Sequence, residues 1–166
     1  MTTKDYLKQI GKWQRKIDVM TAQSNARIQR QADELERLYH LASGLKAITY
    51  DKERVQVSPD NRLEAIYAKI ETVSSKLSEM VIKEKLDLRK KVAVYEDKIK
   101  VIADQIAGMD KADHAEILRL RYVETEEDGR EMRLERIAVE MNRTFDRVRH
   151  LHGEALEEFR KKYEIH

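Results

Sequence analysis

Apolar residues return at intervals of three and four over a long stretch of this chain: Tyr6, Ile10, Trp13, Ile17 and Met20, then Ile28, Leu35, Leu38, Ala42 and Leu45. That spacing lays one stripe along one side of an α-helix and resembles a coiled-coil seam. A second stripe runs through Leu63, Ile66, Ile70, Val73, Leu77, Met80, Leu88, Tyr95, Ile99, Ile102 and Ile106. Both stripes have a polar interruption, Ser24, Arg27 and Gln31 in the first and Glu84 in the second.

Thr2 or Thr3 can cap the first helix, and Gly44 weakens its end. Thr49 to Ser58 has no helical period and reads as a connection. Ser58-Pro59-Asp60 then supplies a cap, a favoured first helical residue and a carboxylate at the positive end of the dipole. Gly108 is the stop signal. Helices over about 3–48 and 59–107 would each span roughly 60–65 Å at 1.5 Å per residue. Neither is stable alone with such a stripe exposed. The expected solution for residues 1–107 is a long antiparallel helical hairpin, a coiled-coil-like arm closed by the 49–58 connection and doubled by dimerisation. The alternative is a compact bundle in which the first helix breaks near residues 24–31.

Composition agrees with an all-α fold: one Pro and five Gly leave few breakers, and 6% aromatic residues are too few for a thick α/β core. The formal net charge is only +2, although residues 1–50 carry nine Lys/Arg against five Asp/Glu. A polybasic mode of nucleic-acid binding is thereby excluded, and any DNA contact must be local. The absence of Cys removes disulfide scaffolds and Cys-based metal sites. No apolar run reaches the length of a membrane span, and no signal-peptide core is visible. A soluble protein of the bacterial cytoplasm, without membrane partners, is the expectation.

After Asp110 the rhythm shortens to helices at Asp113 to Glu124, Met132 to Met141 and Thr144 to Tyr163, a second domain over 108–166. Its centre is Ile137-Ala138-x-x-Met141-Asn142-x-Thr144-x-x-x-Val148. Ala138 is small where two helices must pack closely. Met141 and Val148 are core contacts on either side of a turn. Asn142 tolerates the left-handed conformation of a tight helix end, and Thr144 caps the next helix. Leu151, Ala155, Leu156 and Phe159 continue the buried stripe, while Ile117, Leu118 and Leu120 supply the supporting helix. This is the pattern of a three-helix domain with a helix-turn-helix, Thr144 to Tyr163 being its recognition helix. Arg143, Thr144, Phe145, Asp146, Arg147, Arg149 and His150 are the candidate DNA-binding residues, because such a helix presents base-reading side chains at its N-terminal end. The plainer reading is a three-helix module whose arginines are solvated surface.

Ala115 to Arg160 resembles region four of the primary bacterial sigma factors. The resemblance is carried by Ile117-Leu118-Arg119-Leu120-Arg121-Tyr122, Leu134-Glu135-x-Ile137, Thr144-x-Asp146-Arg147-Val148-Arg149-x-Leu151 and Ala155-Leu156-x-x-Phe159-Arg160. It implies that the last helix enters the major groove of a promoter element, that Asp146, Arg149 and His150 read bases with Arg147 beside them, and that the region contacts RNA polymerase. Phe145 departs from the family's usual Arg. The chain as a whole, with Tyr6-Leu7, Arg54-Val55-Gln56-Val57-Ser58 and the helix start from Leu63 to Ile70, also resembles small phage-encoded regulators related to the ArpU and RinA late transcription regulators. That implies a phage or prophage transcriptional regulator. The chain has no counterpart of the promoter-melting sigma region, since its first hundred residues are too charged and too poor in aromatics for the capture of unstacked bases.

His150 and His152, two apart, lie on different sides of a helix and make a poor metal pair. His40 and His114 are isolated and read as surface or packing residues. Trp13 is either an interface anchor or an ordinary seam residue. The Glu126-Glu127-Asp128 run lacks the alternating ligands of a calcium loop. Neither catalysis, a cofactor nor a metal is expected. Three functions follow: a sequence-specific regulator binding double-stranded DNA, as a homo-oligomer with a dimer favoured; a DNA-packaging adaptor resembling a small terminase subunit; or an interaction module that binds RNA polymerase without DNA.

Overall fold

The computed structural model describes residues 2–50, 60–124 and 130–164. The Thr49-to-Ser58 connection beyond Tyr50, the Ser58-Pro59 start signal and the acidic 125–129 stretch lie outside the described residues, as do the side chains of Leu45 and Asp60. Among the described residues every regular element is helical: α1 (Thr3–Leu7), α2 (Gln9–Tyr50), α3 (Asp60–Ala107), α4 (Ala112–Leu118), a π-helical turn (Arg119–Val123), α5 (Leu134–Glu140) and α6 (Phe145–Lys162). None of these helices is long and apolar enough to cross a membrane.

Thr2 caps α1 by accepting a hydrogen bond from the Asp5 amide at 3.1 Å. Lys8 separates this short helix from α2, so the first long helix begins with a one-turn stub. From Gln9 onward α2 is unbroken through residues 24–31, and it carries on through Thr49 and Tyr50. The polar interruptions explain the continuity. Ser24 donates to Glu84 at 3.3 Å, and the Arg27 guanidinium meets the same carboxylate at 3.1 Å. Each polar gap in one stripe therefore faces the gap in the other.

Packing divides the chain into two compact units, Met1–Val19 with Lys91–His166, and Met20–Lys90. Within Met20–Lys90 the core is Leu38 and Ala42 of α2 against Ile66 and Ile70 of α3, flanked by Leu35, Leu63 and Val73. Early α2 residues thus meet late α3 residues, and late α2 residues meet early ones. In the other unit, Leu7, Ile10, Ile102 and Ile106 join the buried residues of α4 to α6 in one cluster. Trp13 packs half-buried at its edge, with the Lys98 ammonium 5.9 Å from the ring centre.

The π-helical turn replaces the end of the helix expected to reach Glu124. There the Glu124 amide donates to the Arg119 carbonyl, five residues back, at 3.0 Å. The wider turn sets Leu120 and Tyr122 both inward. At the end of α3, a Cβ on Gly108 would lie 3.0 Å from the Tyr163 hydroxyl, which itself donates to the Gln105 carbonyl at 2.6 Å. The stop at Gly108 is thus also a close approach by the end of α6.

Candidate functional site

The turn between α5 and α6 has a definite hydrogen-bond pattern. The Arg143 amide donates to the Ala138 carbonyl at 2.9 Å, and the Asn142 amide donates to the Val139 carbonyl at 3.1 Å. These six-to-one and five-to-two bonds make a Schellman motif, which requires a left-handed residue after the helix. Asn142 provides it, with φ of 50°. Thr144 is extended and accepts at its side chain from the Arg147 amide at 3.4 Å, capping α6. The residues singled out for the turn in the sequence have those conformations.

Behind the turn, Ile137 and Ala138 of α5 are buried, as are Val148, Leu151, Ala155 and Phe159 of α6. At 100° per residue, Val148, Leu151 and Ala155 occupy one side of α6, and Asp146, Arg149 and His150 project from the other. Phe145 and Arg147 lie at the two borders between them. All seven candidates, Arg143, Thr144, Phe145, Asp146, Arg147, Arg149 and His150, are exposed. Arg143 is drawn aside, its guanidinium 3.3 Å from Asp113 of α4. The exposed face continues to Gly153, where an added Cβ would meet nothing within 4 Å. Two apolar side chains stand out near the turn, Val139 at 79% exposure and Phe145 at 41%.

His152 faces another way. Its ring stacks on Tyr122 at a centroid distance of 5.9 Å and shares a hydrogen bond of 3.1 Å with the Tyr122 hydroxyl. Burial, reinforced by the nearby Arg121 and Lys4 charges, pushes His152 down to about 4. Burial likewise raises Tyr122 to about 12, and Glu131 adds to the effect. Near neutral pH both groups are uncharged, which suits a packing contact beneath α6.

His114, expected to be an isolated residue, is buried under the C-terminal half of α6. Its Nδ1 lies 2.6 Å from Glu158 and its Nε2 3.4 Å from Glu154. The other Glu158 oxygen accepts from the Asp110 and Lys111 amides at the entry to α4. Burial pushes the Glu158 carboxyl up, but the bonds from His114 and the two amides outweigh it and hold the carboxyl low. This cluster clamps α6 to α4 across more than forty positions of sequence. Among the described residues no group of three His, Asp or Glu is placed to hold a metal ion.

Comparison with family models, with curated proteins and with solved structures finds no match to this chain.

Proposed function

We propose that α5, the Asn142 turn and α6 form a helix-turn-helix that binds duplex DNA, α6 lying in the major groove, and that the chain is a phage or prophage transcriptional regulator. The observation that carries this reading is the exposed face of Asp146, Arg149 and His150, with Phe145 at its edge and the buried Val148 and Leu151 behind it. A capped helix start places free amides where a phosphate can meet them. Arg149 has the fork that matches guanine or phosphate, and Arg147 flanks it toward the backbone. Phe145 supplies an apolar contact of the kind that reads a thymine methyl group. Residues 20–90 are read as an antiparallel helical hairpin that serves oligomerisation or contact with RNA polymerase.

The test is fluorescence anisotropy on duplexes from the DNA surrounding the chain's own coding sequence, across a salt series, for wild type and Arg147→Ala/Arg149→Ala. Binding should weaken steeply with salt, and the double variant should lose up to about two units of the log–log slope if both side chains meet phosphate. Where Arg149 reads a base instead, the loss should be sequence-dependent, roughly 1–3 kcal/mol at that position. Equal, weak binding of both proteins to every duplex would remove the reading. The exposed Val139 and Phe145 favour a second one, in which this turn docks on RNA polymerase. Capture of purified polymerase without DNA affinity, lost in Val139→Asp, would establish it.

A further inference from the structure

The side of α3 turned away from its buried stripe carries a second set of apolar residues. Ile82, Leu86, Val94 and Val101 are each more than half exposed, and α3 is unbroken through all four. Among them stand four exposed charges, Lys83 and Lys90 in the first half of the stretch, Asp97 and Asp104 in the second. At 100° per residue, these side chains and Ala93 fall within about a third of the helix circumference, opposite Leu88, Tyr95, Ile99 and Ile102. Among the described residues none of the four charges forms an ion pair or a side-chain hydrogen bond. From Lys83 to Asp104 the strip is about 30 Å long. Apolar residues left in water along such a length mark an interaction surface.

We infer that a second copy of the chain docks on this strip, antiparallel, about a two-fold axis that crosses α3 between Ala93 and Val94. In such a pair, residues equally far from that point on opposite sides lie at the same height on the two helices. Lys83 then meets the copy's Asp104, Lys90 meets its Asp97, and Leu86 meets its Val101, each contact occurring twice by symmetry. At the axis Ala93 and Val94 meet their own counterparts, and the small Ala93 lets the two helices approach. The charges identify the occupant. A strip that is cationic in one half and anionic in the other complements itself only when reversed. A parallel copy would bring Lys83 to Lys83 and Asp97 to Asp97, and like charges set together across an interface are strongly disfavoured. Exposed ion pairs add little affinity, so the apolar residues supply the driving force and the charges set the direction. The inference deepens the oligomerisation part of the reading above and rests on it, whereas it is independent of DNA binding by α6.

The experiment is sedimentation equilibrium of the full chain across a concentration series. Wild type should dimerise. Lys83→Asp/Lys90→Asp makes the four charges all anionic, and Asp97→Lys/Asp104→Lys makes them all cationic. Each double variant alone should raise the dimer dissociation constant about a hundredfold or more. Mixed in equal amounts, the two should recover a dimer at least as tight as wild type, which a defect in folding could not produce. Direction is read separately. The chain has no cysteine, so Val94→Cys and Leu86→Cys each introduce a single thiol. Under mild oxidation Val94→Cys should cross-link to its counterpart beside the axis, and Leu86→Cys, about 20 Å from its own along the helix, should not. Equal cross-linking of both overturns the antiparallel pairing. A wild-type dimer that neither charge reversal weakens places the interface elsewhere and leaves the oligomerisation reading standing. A chain that stays monomeric at every concentration removes both the docking surface and that reading, whatever its affinity for DNA.

Discussion

The two units bury their apolar stripes to different depths. In the unit that holds α4 to α6, Ile117, Ile137, Val148 and Phe159 are wholly sealed from solvent, each covered by helices from more than one direction. In Met20–Lys90 the core residues among those described retain 3–9% exposure, because two helices offer each side chain only one facing surface. The same cadence of three and four therefore has unequal value in the two places. Burial stabilises in proportion to apolar area removed from water. A helix pair removes less of it per residue than a cluster of several helices, so local opening should begin in Met20–Lys90.

The largest expected effect sets this contrast directly. Phe159→Ala should cost about 3–5 kcal/mol, whereas Ile70→Ala should fall near the lower end, at about 2 kcal/mol. Urea titration read by circular dichroism gives both values, and equal costs would mean the two-helix region is as deeply buried in solution as the other unit. Amide exchange provides the spatial check: protection should be highest in α4 and α6 and lower between residues 20 and 90.

A smaller effect belongs to one unit only. His152 stands at about 4 in the folded chain, below the ordinary 6.5. The unfolded chain therefore takes up the proton first as pH falls, so the stabilisation is complete above about pH 6.5 and is lost between there and about pH 4. Solvent at the partly exposed ring trims the full shift to a loss on the order of 2 kcal/mol. Trp13, the sole tryptophan, belongs to this unit and reports its unfolding by fluorescence. His152→Phe should flatten that part of the pH profile. A profile unchanged by the substitution would mean that His152 is not the group responsible.

The smallest effect concerns the exposed face of α6. Gly153 interrupts a helix interior where no neighbour needs the space. Gly153→Ala should stabilise the chain by up to about 1 kcal/mol. If the face meets DNA closely at that point, the same methyl group weakens duplex binding. Stabilisation with unaltered binding would place the contact nearer the start of the helix.

Much of this contrast can be read from the sequence, and the unread part has a common cause. Asn142, Thr144 and the Val148–Leu151–Ala155–Phe159 stripe declare themselves because turns, caps and helix faces are local patterns. The all-α class follows from the scarcity of breakers in the same way. The His114–Glu158 clamp leaves no such trace, since its partners lie 44 positions apart. The π-helical turn at Arg119–Val123 is also hidden: Leu120 and Tyr122, two positions apart, fit no α-helical face. In Ser24, Arg27 and Glu84 the polar interruptions were visible, but their pairing across 57 and 60 positions was not.

That pairing has a consequence for alignment. Two helices with repeating apolar stripes can slide past each other by a whole heptad and still match apolar to apolar. A slip of that size moves each residue about 10 Å along the axis. It would take Glu84 out of reach of Arg27 and Ser24 and press the carboxylate against an apolar stretch, an arrangement far less favourable than the native one. Three polar side chains thus act as a detent, giving one register among several that the stripes alone would accept.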